Sequence, residues 1–513
     1  MRQVRLLLDA EGVRRFNSPE MVNATRSTLL IDTLKVSGST LVGLAISFAA
    51  GLFVPRLLGP ERYGVWQTLY LAVPYLGITT AGVIQGMHRE LAILRGQDRL
   101  SDLATVESAA LSFVWILALI QGGAISALAL VALTTGVRAE IGVGILGLGL
   151  VSIASLPAST YGHIFRGEDR FDLLSRTNLV TAVSYLSMPP LVWLLGFNGA
   201  VVALVLNNVV LLLYTFTLWP WRFRFSLPAP LLIRLAKIGF PLLVLTFLET
   251  ATRTVDRYLI VGLFDSTRLG YYSAANVFLT PLTVGTGGLT AVLYMRQAEA
   301  YGRHGHTSAL KELTLTPLVT LAHLVFPAAA MLVVGLPEIV ETVLSKYVSG
   351  VVPSQINCAG FCFYLVATVC NCTFLTTSQT RWLYLAFSAT LVTNILVSWV
   401  LARNGYGLVG IAIGAALGYV VYGIITVSRA LVTIGATRLE WRKAAVGVGA
   451  TFMWCMAASK VVLWIGGSGG APLPRFVLKE ILCLLLTGWL VLPYLAGPKS
   501  DRTGGGAHPM VAR

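Results

Sequence analysis

Charged residues are scarce in this chain, and so is any long polar stretch. Only 12% of the 513 residues are charged, whereas 56% are hydrophobic. The longest soluble segment is the 33 residues that precede the first apolar run. Because an enzyme that works in water needs a folded domain with a polar surface, this shortage excludes most soluble enzymes.

Cysteine and histidine are also sparse, with six of each in the whole chain. All six cysteines lie inside apolar runs, without the His or carboxylate neighbours that a metal site needs. They are Cys358, Cys362, Cys370, Cys372, Cys455 and Cys483. Because a free cysteine behaves as a small hydrophobe, we interpret them as packing residues and predict neither a metal site nor a cofactor.

Long apolar runs fill the rest of the chain, which has a mean hydropathy of +0.75. A helix needs about 20 predominantly apolar residues to cross a bilayer. We predict fourteen spans, at 34–56, 63–87, 107–135, 141–165, 172–195, 198–219, 238–262, 270–295, 312–335, 351–376, 381–402, 407–432, 443–465 and 477–497. Two very short connections, near 138–140 and 196–199, leave twelve spans as the alternative. The predicted fold class is an all-α polytopic membrane protein.

The basic residues predict the orientation of these spans. Short loops rich in Lys and Arg stay on the cytoplasmic side. With both termini cytoplasmic, 27 of the 38 basic residues lie on that side. The net charge of +15 is then a signal for topology that also suits anionic lipid headgroups, and it is no evidence for nucleic acid. Residues 1–33 are expected to form a cytoplasmic segment without a cleavable signal peptide, with Met21 as an alternative start.

An internal repeat joins the two halves of the chain at an offset near 206 residues. Residues 55–66 align with 261–272, and residues 196–201 align with 404–409. Because an even number of spans separates the copies, both halves enter the membrane in the same direction, as in transporters with parallel repeats. The predicted domains are a cytoplasmic segment 1–33, an N-lobe 34–220, a C-lobe 221–433, two additional helices 434–497 and a cytoplasmic tail 498–513. A substrate site is expected between the two six-helix lobes.

Short motifs near the ends of the spans are similar to those of one family. They are Arg56-Leu57-Leu58-Gly59-Pro60-Glu61-Arg62-Tyr63-Gly64, Leu94-Arg95-Gly96, Phe165-Arg166-Gly167 with Arg170-Phe171, Gly239-Phe240-Pro241, Asp256-Arg257 and Gly270-Tyr271-Tyr272. In order and placement they resemble the polysaccharide-transporter branch of the multidrug/oligosaccharidyl-lipid/polysaccharide exporter superfamily, over roughly residues 34–435.

The resemblance implies a flippase in the bacterial cytoplasmic (inner) membrane. Its substrate would be a polyprenyl-pyrophosphate-linked oligosaccharide for an exopolysaccharide or O-antigen, moved by alternating access of two lobes. Implied partners are membrane lipids, glycosyltransferases and a polymerase, with H⁺ or Na⁺ coupling. The alternatives are a cation-coupled drug exporter of the same superfamily and a membrane glycan polymerase. The polymerase is disfavoured, because such enzymes commonly present a sizeable outward loop with catalytic acids and the outward connections here are short.

Four charged residues in the seventh predicted span form the sharpest candidate site. Glu249, Arg253, Asp256 and Arg257 fall within an arc of about 100° on a helix of 3.6 residues per turn. Ionisable residues in spans usually face a cavity or the bundle interior. Arg253 and Arg257 are our candidates for binding the pyrophosphate, since guanidinium groups match phosphate oxygens. Glu249 and Asp256 are candidates for ion coupling. The competing interpretation is a purely structural network of i,i+3 and i,i+4 pairs.

The same offset places only small residues in the first span, at Gly43, Ser47, Ala50 and Gly51. They are consistent both with space for a bulky headgroup and with close helix packing. Because the equivalent positions of the N-lobe carry no charge, the four charged residues belong to the predicted C-lobe only.

Overall fold

A computed structural model describes residues 19–97, 99–136, 138–168, 170–218, 224–466 and 472–492. All regular secondary structure in these ranges is helical, with no strand among them. The prediction of an all-α fold is confirmed.

Seventeen α-helices make up the described chain. They are α1 Pro19–Tyr70, α2 Val83–Gly96, α3 Leu100–Thr134, α4 Ala139–Gly167, α5 Phe171–Tyr185, α6 Met188–Leu195, α7 Phe197–Leu218, α8 Ala229–Thr252, α9 Val255–Leu263, α10 Ser266–Asn276, α11 Thr280–His304, α12 Lys311–Val343, α13 Val351–Thr376, α14 Arg381–Leu401, α15 Gly407–Thr433, α16 Arg438–Ile465 and α17 Pro472–Thr487. Short 3₁₀ segments join several of them, including Val73–Thr80 before α2 and Val277–Leu279 before α11.

Nine helices of the described residues are long and apolar enough to cross a membrane, or ten when the pair bent by 59° between Ala45–Thr80 and Val83–Gly96 counts as one span. The chain is therefore a multi-pass membrane protein. As far as the described residues reach, all fourteen predicted runs fall on helices; residue 219 of the sixth run and residues 493–497 of the fourteenth lie outside them, and the number of spans stays a prediction. Among the described residues, five runs are interrupted: the second at 71–82, the fifth between α5 and α6, the seventh between α8 and α9, the eighth between α10 and α11, and the fourteenth where the 3₁₀ segment Gly488–Leu490 follows α17.

Proline explains two of these breaks. Pro189 stands in the first turn of α6 and Pro281 in the first turn of α11. Proline suits the first turn of a helix, where its missing N–H costs no internal hydrogen bond, but it cannot continue the preceding helix. Each of these spans is consequently built from two helical pieces.

Two large hydrophobic cores hold the helices together. One is built mainly from residues between Val54 and Leu204, and the other mainly from residues between Leu279 and Leu490. The predicted lobe boundary at 220–221 lies outside the described residues, as do residues 1–18 of the predicted cytoplasmic segment and the tail 498–513. The lobe limits and the pseudo-twofold axis stay predictions.

The last two described helices, α16 and α17, pack against α12. The ring centroids of Phe452 on α16 and Phe326 on α12 are 5.5 Å apart. Lys479 on α17 forms an ion pair of 2.7 Å with Glu338 on α12, and both side chains are buried. A buried ion pair and apolar packing therefore both hold these helices to the second core.

Candidate substrate cavity

Two close helix crossings join the first half of the described chain to the second. At the first crossing, α1 meets α10 through Gly64 and Gly270. A methyl group added to Gly64 would lie 1.7 Å from the Ser266 carbonyl oxygen, and one added to Gly270 would lie 2.2 Å from the Pro60 carbonyl oxygen. Only hydrogen fits at either position, so the backbones touch directly.

At the second crossing, α2 meets α8 in the same manner. A methyl group on Gly86 would lie 2.0 Å from the Leu235 carbonyl oxygen, and one on Gly239 would lie 1.9 Å from the Gly82 carbonyl oxygen. Gly64, Gly239 and Gly270 belong to the motifs that carry the family resemblance. Their physical role is to let the two halves of the protein approach each other.

The seventh predicted span is broken at Arg253, between α8 and α9. Three threonines before or at the break donate hydroxyl hydrogen bonds to carbonyls four residues earlier, Thr246 to Leu242, Thr250 to Thr246 and Thr254 to Thr250, at 2.8–3.0 Å. Such bonds compete with the helical backbone and bend helices. The break turns the first residues of α9 toward the interior of the second half.

A polar cavity of about 130 Å³ lies beside this break. It is lined by Arg253, Asp256, Arg257, Asn276, Leu279, Thr280, Thr283, Asn357, Phe361 and Tyr419. Arg253 is exposed and Arg257 is half-buried. Both arginines therefore line one cavity, and Arg253 is the more exposed of the two.

Several polar atoms of the cavity residues have no hydrogen-bond partner among the described residues. They are Arg257 Nε, Asn276 Nδ2 and Asn357 Oδ1, all of them buried. Asn357 Nδ2 donates to Asn276 Oδ1 at 3.3 Å, which leaves the other amide atoms unsatisfied. Because an unsatisfied buried polar group costs about 1–3 kcal/mol, their concentration in one cavity is typical of a binding site.

Asp256 is held in place by two hydrogen bonds. Its Oδ1 accepts from the backbone N–H of Arg257 at 2.9 Å, and its Oδ2 accepts from the Tyr272 hydroxyl at 2.5 Å. Asp256 is only 3% exposed and Tyr272 is fully buried. The carboxylate therefore ties the first turn of α9 to α10, and it also lies at the positive end of the α9 dipole.

Glu249 lies elsewhere, because the break at Arg253 separates it from the other three charged residues of the predicted site. It does not line the polar cavity, and its Oε1 accepts from the Tyr364 hydroxyl at 3.1 Å. Among the ion pairs between described residues, none joins Glu249 to Arg253 or Arg253 to Asp256. The structure thus brings three of the four predicted site residues together and leaves the fourth on a neighbouring surface.

A second cavity, of about 380 Å³, lies mainly in the first half and is rich in aromatic side chains. It is lined by Ser47, Phe48, Ala50, Gly51, Val54, Tyr63, Trp66, Gln67, Tyr70, Tyr185, Met188, Leu204, Val277 and Thr280. Three of the four small residues of the first span are among them. A methyl group on Gly51 would make an ordinary contact of 3.4 Å, so close packing does not require glycine there. Gly43 does not line this cavity.

Thr280 lines both cavities. It is the first residue of α11, directly after the interruption of the eighth predicted span. The polar and the aromatic surfaces therefore adjoin each other at the boundary between the two halves.

The sequence did not single out most of the lining residues. Asn276 and Asn357 are lone amides in apolar runs, and Tyr63 and Trp66 stand near a span end, where aromatic residues are ordinary interface anchors. The one pattern visible in the sequence is the spacing of Tyr272 and Asn276, which are four residues apart and so lie one turn apart on α10. Their relation to Asp256 still depends on how α9 packs against α10.

The fold is that of known membrane transporters. An inward-facing multidrug resistance MATE family transporter of the MOP superfamily has a TM-score of 0.66 at 16% identity, over 79% of this chain and 98% of that one. The lipid II flippase MurJ in an inward closed conformation has a TM-score of 0.64 at 12% identity, over 91% of this chain and 100% of that one. A MOP superfamily transporter from Pyrococcus furiosus is described as having a binding pocket of reverse polarity. It has a TM-score of 0.57 at 15% identity, over 79% of this chain and 95% of that one.

A family model described as "Polysaccharide biosynthesis protein" matches residues 53–353, which is more than half of the chain. No curated protein sequence matches significantly. The protein belongs to this polysaccharide biosynthesis family, and the resemblance to the polysaccharide-transporter branch is confirmed.

Proposed function

We propose that this protein is a flippase for a polyprenyl-pyrophosphate-linked oligosaccharide. It moves the substrate from the inner to the outer leaflet of a bacterial cytoplasmic membrane by alternating access, for the synthesis of a cell-surface polysaccharide, and it carries out no chemical step. The observation that carries this proposal is the meeting of a cationic cavity and an aromatic cavity at Thr280. A lipid-linked glycan presents both an anionic pyrophosphate and sugar rings, so it needs both surfaces.

Arg253 and Arg257 bind the pyrophosphate in this proposal. A guanidinium group donates up to five hydrogen bonds in a planar fork, and charge-assisted bonds to phosphate are among the strongest in proteins. Arg257 Nε is available, since it has no hydrogen-bond partner among the described residues. Asn276 and Asn357, beside the arginines, offer one free donor and one free acceptor for sugar hydroxyl groups.

The aromatic surface receives the sugars. Tyr63, Trp66 and Tyr70 follow one another on the last turns of α1, and Tyr185 on α5 lines the same cavity. Aromatic rings combine a large apolar face with a polar edge, which suits the mixed surface of a sugar ring. Asp256 acts by holding the backbone that positions Arg257, and Glu249 stays a candidate for H⁺ or Na⁺ coupling or for pairing.

The charge of the cavity separates this proposal from drug export. An exporter of amphipathic cations needs an anionic cavity, whereas here two arginines face one carboxylate that already has two partners. The related folds include both a multidrug transporter and a lipid II flippase by their descriptions. The family description favours the polysaccharide substrate.

The orientation of the protein in this proposal follows from its basic loops. Both termini lie in the cytoplasm, so the crossing of Gly82 and Gly239 lies toward the cytoplasm and that of Gly64 and Gly270 toward the outside. Glycosyltransferases that build the oligosaccharide act before the flippase, and a polymerase acts after it.

Transport by the purified protein tests the site. The probe is a fluorescent undecaprenyl-pyrophosphate-linked oligosaccharide in proteoliposomes, with an impermeant quencher that reports its leaflet. We expect the double substitution R253Q/R257Q to slow translocation by at least about tenfold, because two charge-assisted contacts are lost. The control is R303Q, which removes an exposed arginine paired with Glu299 on α11. Normal transport by a folded and inserted double variant would rule out phosphate binding by these arginines.

Cells that lack the protein test the function itself. We expect the lipid-linked glycan to accumulate on the cytoplasmic side, as reported by an impermeant probe, and its mass to identify the substrate. Complete single units in the outer leaflet without chain extension would identify a polymerase instead. No change in the lipid-linked pool would favour the drug exporter.

A further inference from the structure

The second predicted span is broken between its 3₁₀ segment Val73–Thr80 and α2. Ala81 has φ of 50° and Gly82 has φ of 88°, so both residues lie in the left-handed region. Gly82 also forms the crossing with α8. Glycine adopts this conformation readily, but Ala81 is strained in it and is held there by the surrounding structure, directly beside the crossing.

A third cavity, of about 120 Å³, lies directly beside this break. It is lined by Pro74, Tyr75, Gly77, Ile78, Ile84, Gln85, Ser159, His163, Leu243, Thr246, Phe247 and Thr250. These residues come from the 3₁₀ segment, α2, α4 and α8. The cavity is separate from the proposed substrate site, since it shares no lining residue with the polar or the aromatic cavity.

Two polar atoms of its lining residues are buried without a hydrogen-bond partner among the described residues. They are Gln85 Oε1 and His163 Nδ1. The imidazole ring of His163 contacts that of His88, with ring centroids 5.6 Å apart and an angle of 66° between the planes. Two imidazoles in contact, in a cavity that an unsatisfied amide oxygen also lines, form a group that can accept and hold a proton.

The charged groups near His88 and His163 determine whether a proton on this pair is stabilised or repelled. His88 on α2 and Arg166 on α4 are the titratable or charged groups that interact with His163. Glu107 on α3 interacts instead with Tyr161. The described residues of α8 and the 3₁₀ segment that line the cavity offer only hydroxyl groups as polar groups, and none of the described lining residues is a carboxylate. Outside the lining, Glu90 on α2 lies two residues from His88, and its carboxylate is paired with Arg234 on α8 at 2.7 Å.

We propose that His88 and His163 form a proton-binding site that opens and closes the crossing between α2 and α8. A proton on this pair places a positive charge close to Arg166, with no carboxylate in the cavity to offset it. The repulsion favours the conformation in which α2 moves away and water enters, whereas the neutral pair allows the closed crossing seen here. This site couples a proton to the alternating access on which the flippase proposal rests, without using the substrate site.

Distances between spin labels on α2 and α8 test the coupling without any substrate. R89C and K237C place labels on exposed positions of the two helices, and the six native cysteines are buried. We expect the label distance in the otherwise unchanged protein to lengthen on going from about pH 8 to about pH 5.5, the range in which imidazole titrates. H163Q should abolish this dependence, and H88Q should shift or reduce it.

The matched control is H323Q, which removes a histidine on α12, outside the cavity. It should leave the pH dependence unchanged. A label distance that does not change with pH, or an equal change in the double variant H88Q/H163Q, would overturn the proposal even if one variant folds poorly. If the label distance responds to pH normally but the protein shows no flippase activity, the proposed function is wrong and the proposed proton site is still supported.

Discussion

Glu90 on α2 forms an ion pair of 2.7 Å with Arg234 on α8, one helical turn beyond the contact of Gly86 with Leu235. The carboxylate is 13% exposed and the guanidinium 56% exposed. This ion pair joins the two halves of the protein at the crossing of α2 and α8, which separates in the proposed transport cycle. Tyr75 adds a second link between the two halves at the other end of α8, since its hydroxyl lies 2.5 Å from that of Thr254, the residue before α9.

Removal of the Glu90 carboxylate should favour the open crossing. An ion pair with one exposed partner contributes about 0–1 kcal/mol, so we expect E90Q to raise the open population by up to roughly fivefold. The measurement is the rate at which an impermeant thiol reagent modifies S47C in the aromatic cavity. E299Q breaks an exposed pair within α11 and should leave the rate unchanged. An unchanged rate in E90Q would show that the pair does not hold the crossing.

A methyl group at Gly239 should destabilise the folded protein. G239A places a carbon 1.9 Å from the Gly82 carbonyl oxygen, so one helix has to shift. Overpacking of this kind costs about 1–3 kcal/mol, more than the gain in helix propensity. G262A is the matched control, because nothing lies within 4 Å of its added carbon. We expect a lower thermal unfolding temperature in detergent for G239A only, and equal temperatures would contradict the close crossing.

Loss of the Tyr272 hydroxyl should remove one of the two hydrogen bonds that the Asp256 carboxylate accepts. Hydrogen bonds to charged groups contribute about 1.5–3 kcal/mol, so we expect Y272F to destabilise the protein by that amount. Y406F, at a tyrosine that is 57% exposed, is the control. In the double variant Y272F/D256N, the two effects should not add, because the substitutions remove the same bond. Additive losses in unfolding measurements would show that the two side chains act independently.

Removal of only one partner of the Glu338–Lys479 ion pair should strongly destabilise the folded protein. The two side chains are only 3% and 5% exposed, so K479M leaves a buried, uncompensated carboxylate at a cost of about 3–5 kcal/mol. The double variant E338L/K479M should recover most of this loss. R268Q, which disrupts an exposed pair with Asp265, should change stability by less than about 0.5 kcal/mol. Comparable losses in K479M and R268Q would contradict the buried state of the pair.

Periodicity placed four charged residues on one face of a helix, and the structure brings three of them together; their role as a site stays a prediction. Arg253, Asp256 and Arg257 line one cavity as the predicted stripe required, but Glu249 bonds Tyr364 on α13. The arc of about 100° assumed a straight helix. The threonine hydrogen bonds bend the span at Arg253, so α9 runs in a different direction from α8. Asn357 had no signal of its own, since single polar residues in apolar runs are most often satisfied core residues. Tyr272 stands in one of the family motifs, but nothing in the sequence pairs it with Asp256.

The sequence by itself determined that this is a helical membrane protein, because a backbone in lipid has to satisfy its hydrogen bonds within each segment and the apolar runs are long enough to cross. Its motifs also determined the family. Only the tertiary structure decided which polar residues share a cavity and which glycines touch. Gly82 meets Gly239, and Tyr75 meets Thr254, across more than 150 residues of chain. Such contacts depend on where helices break and how they cross, and these properties arise from the packing of all helices together.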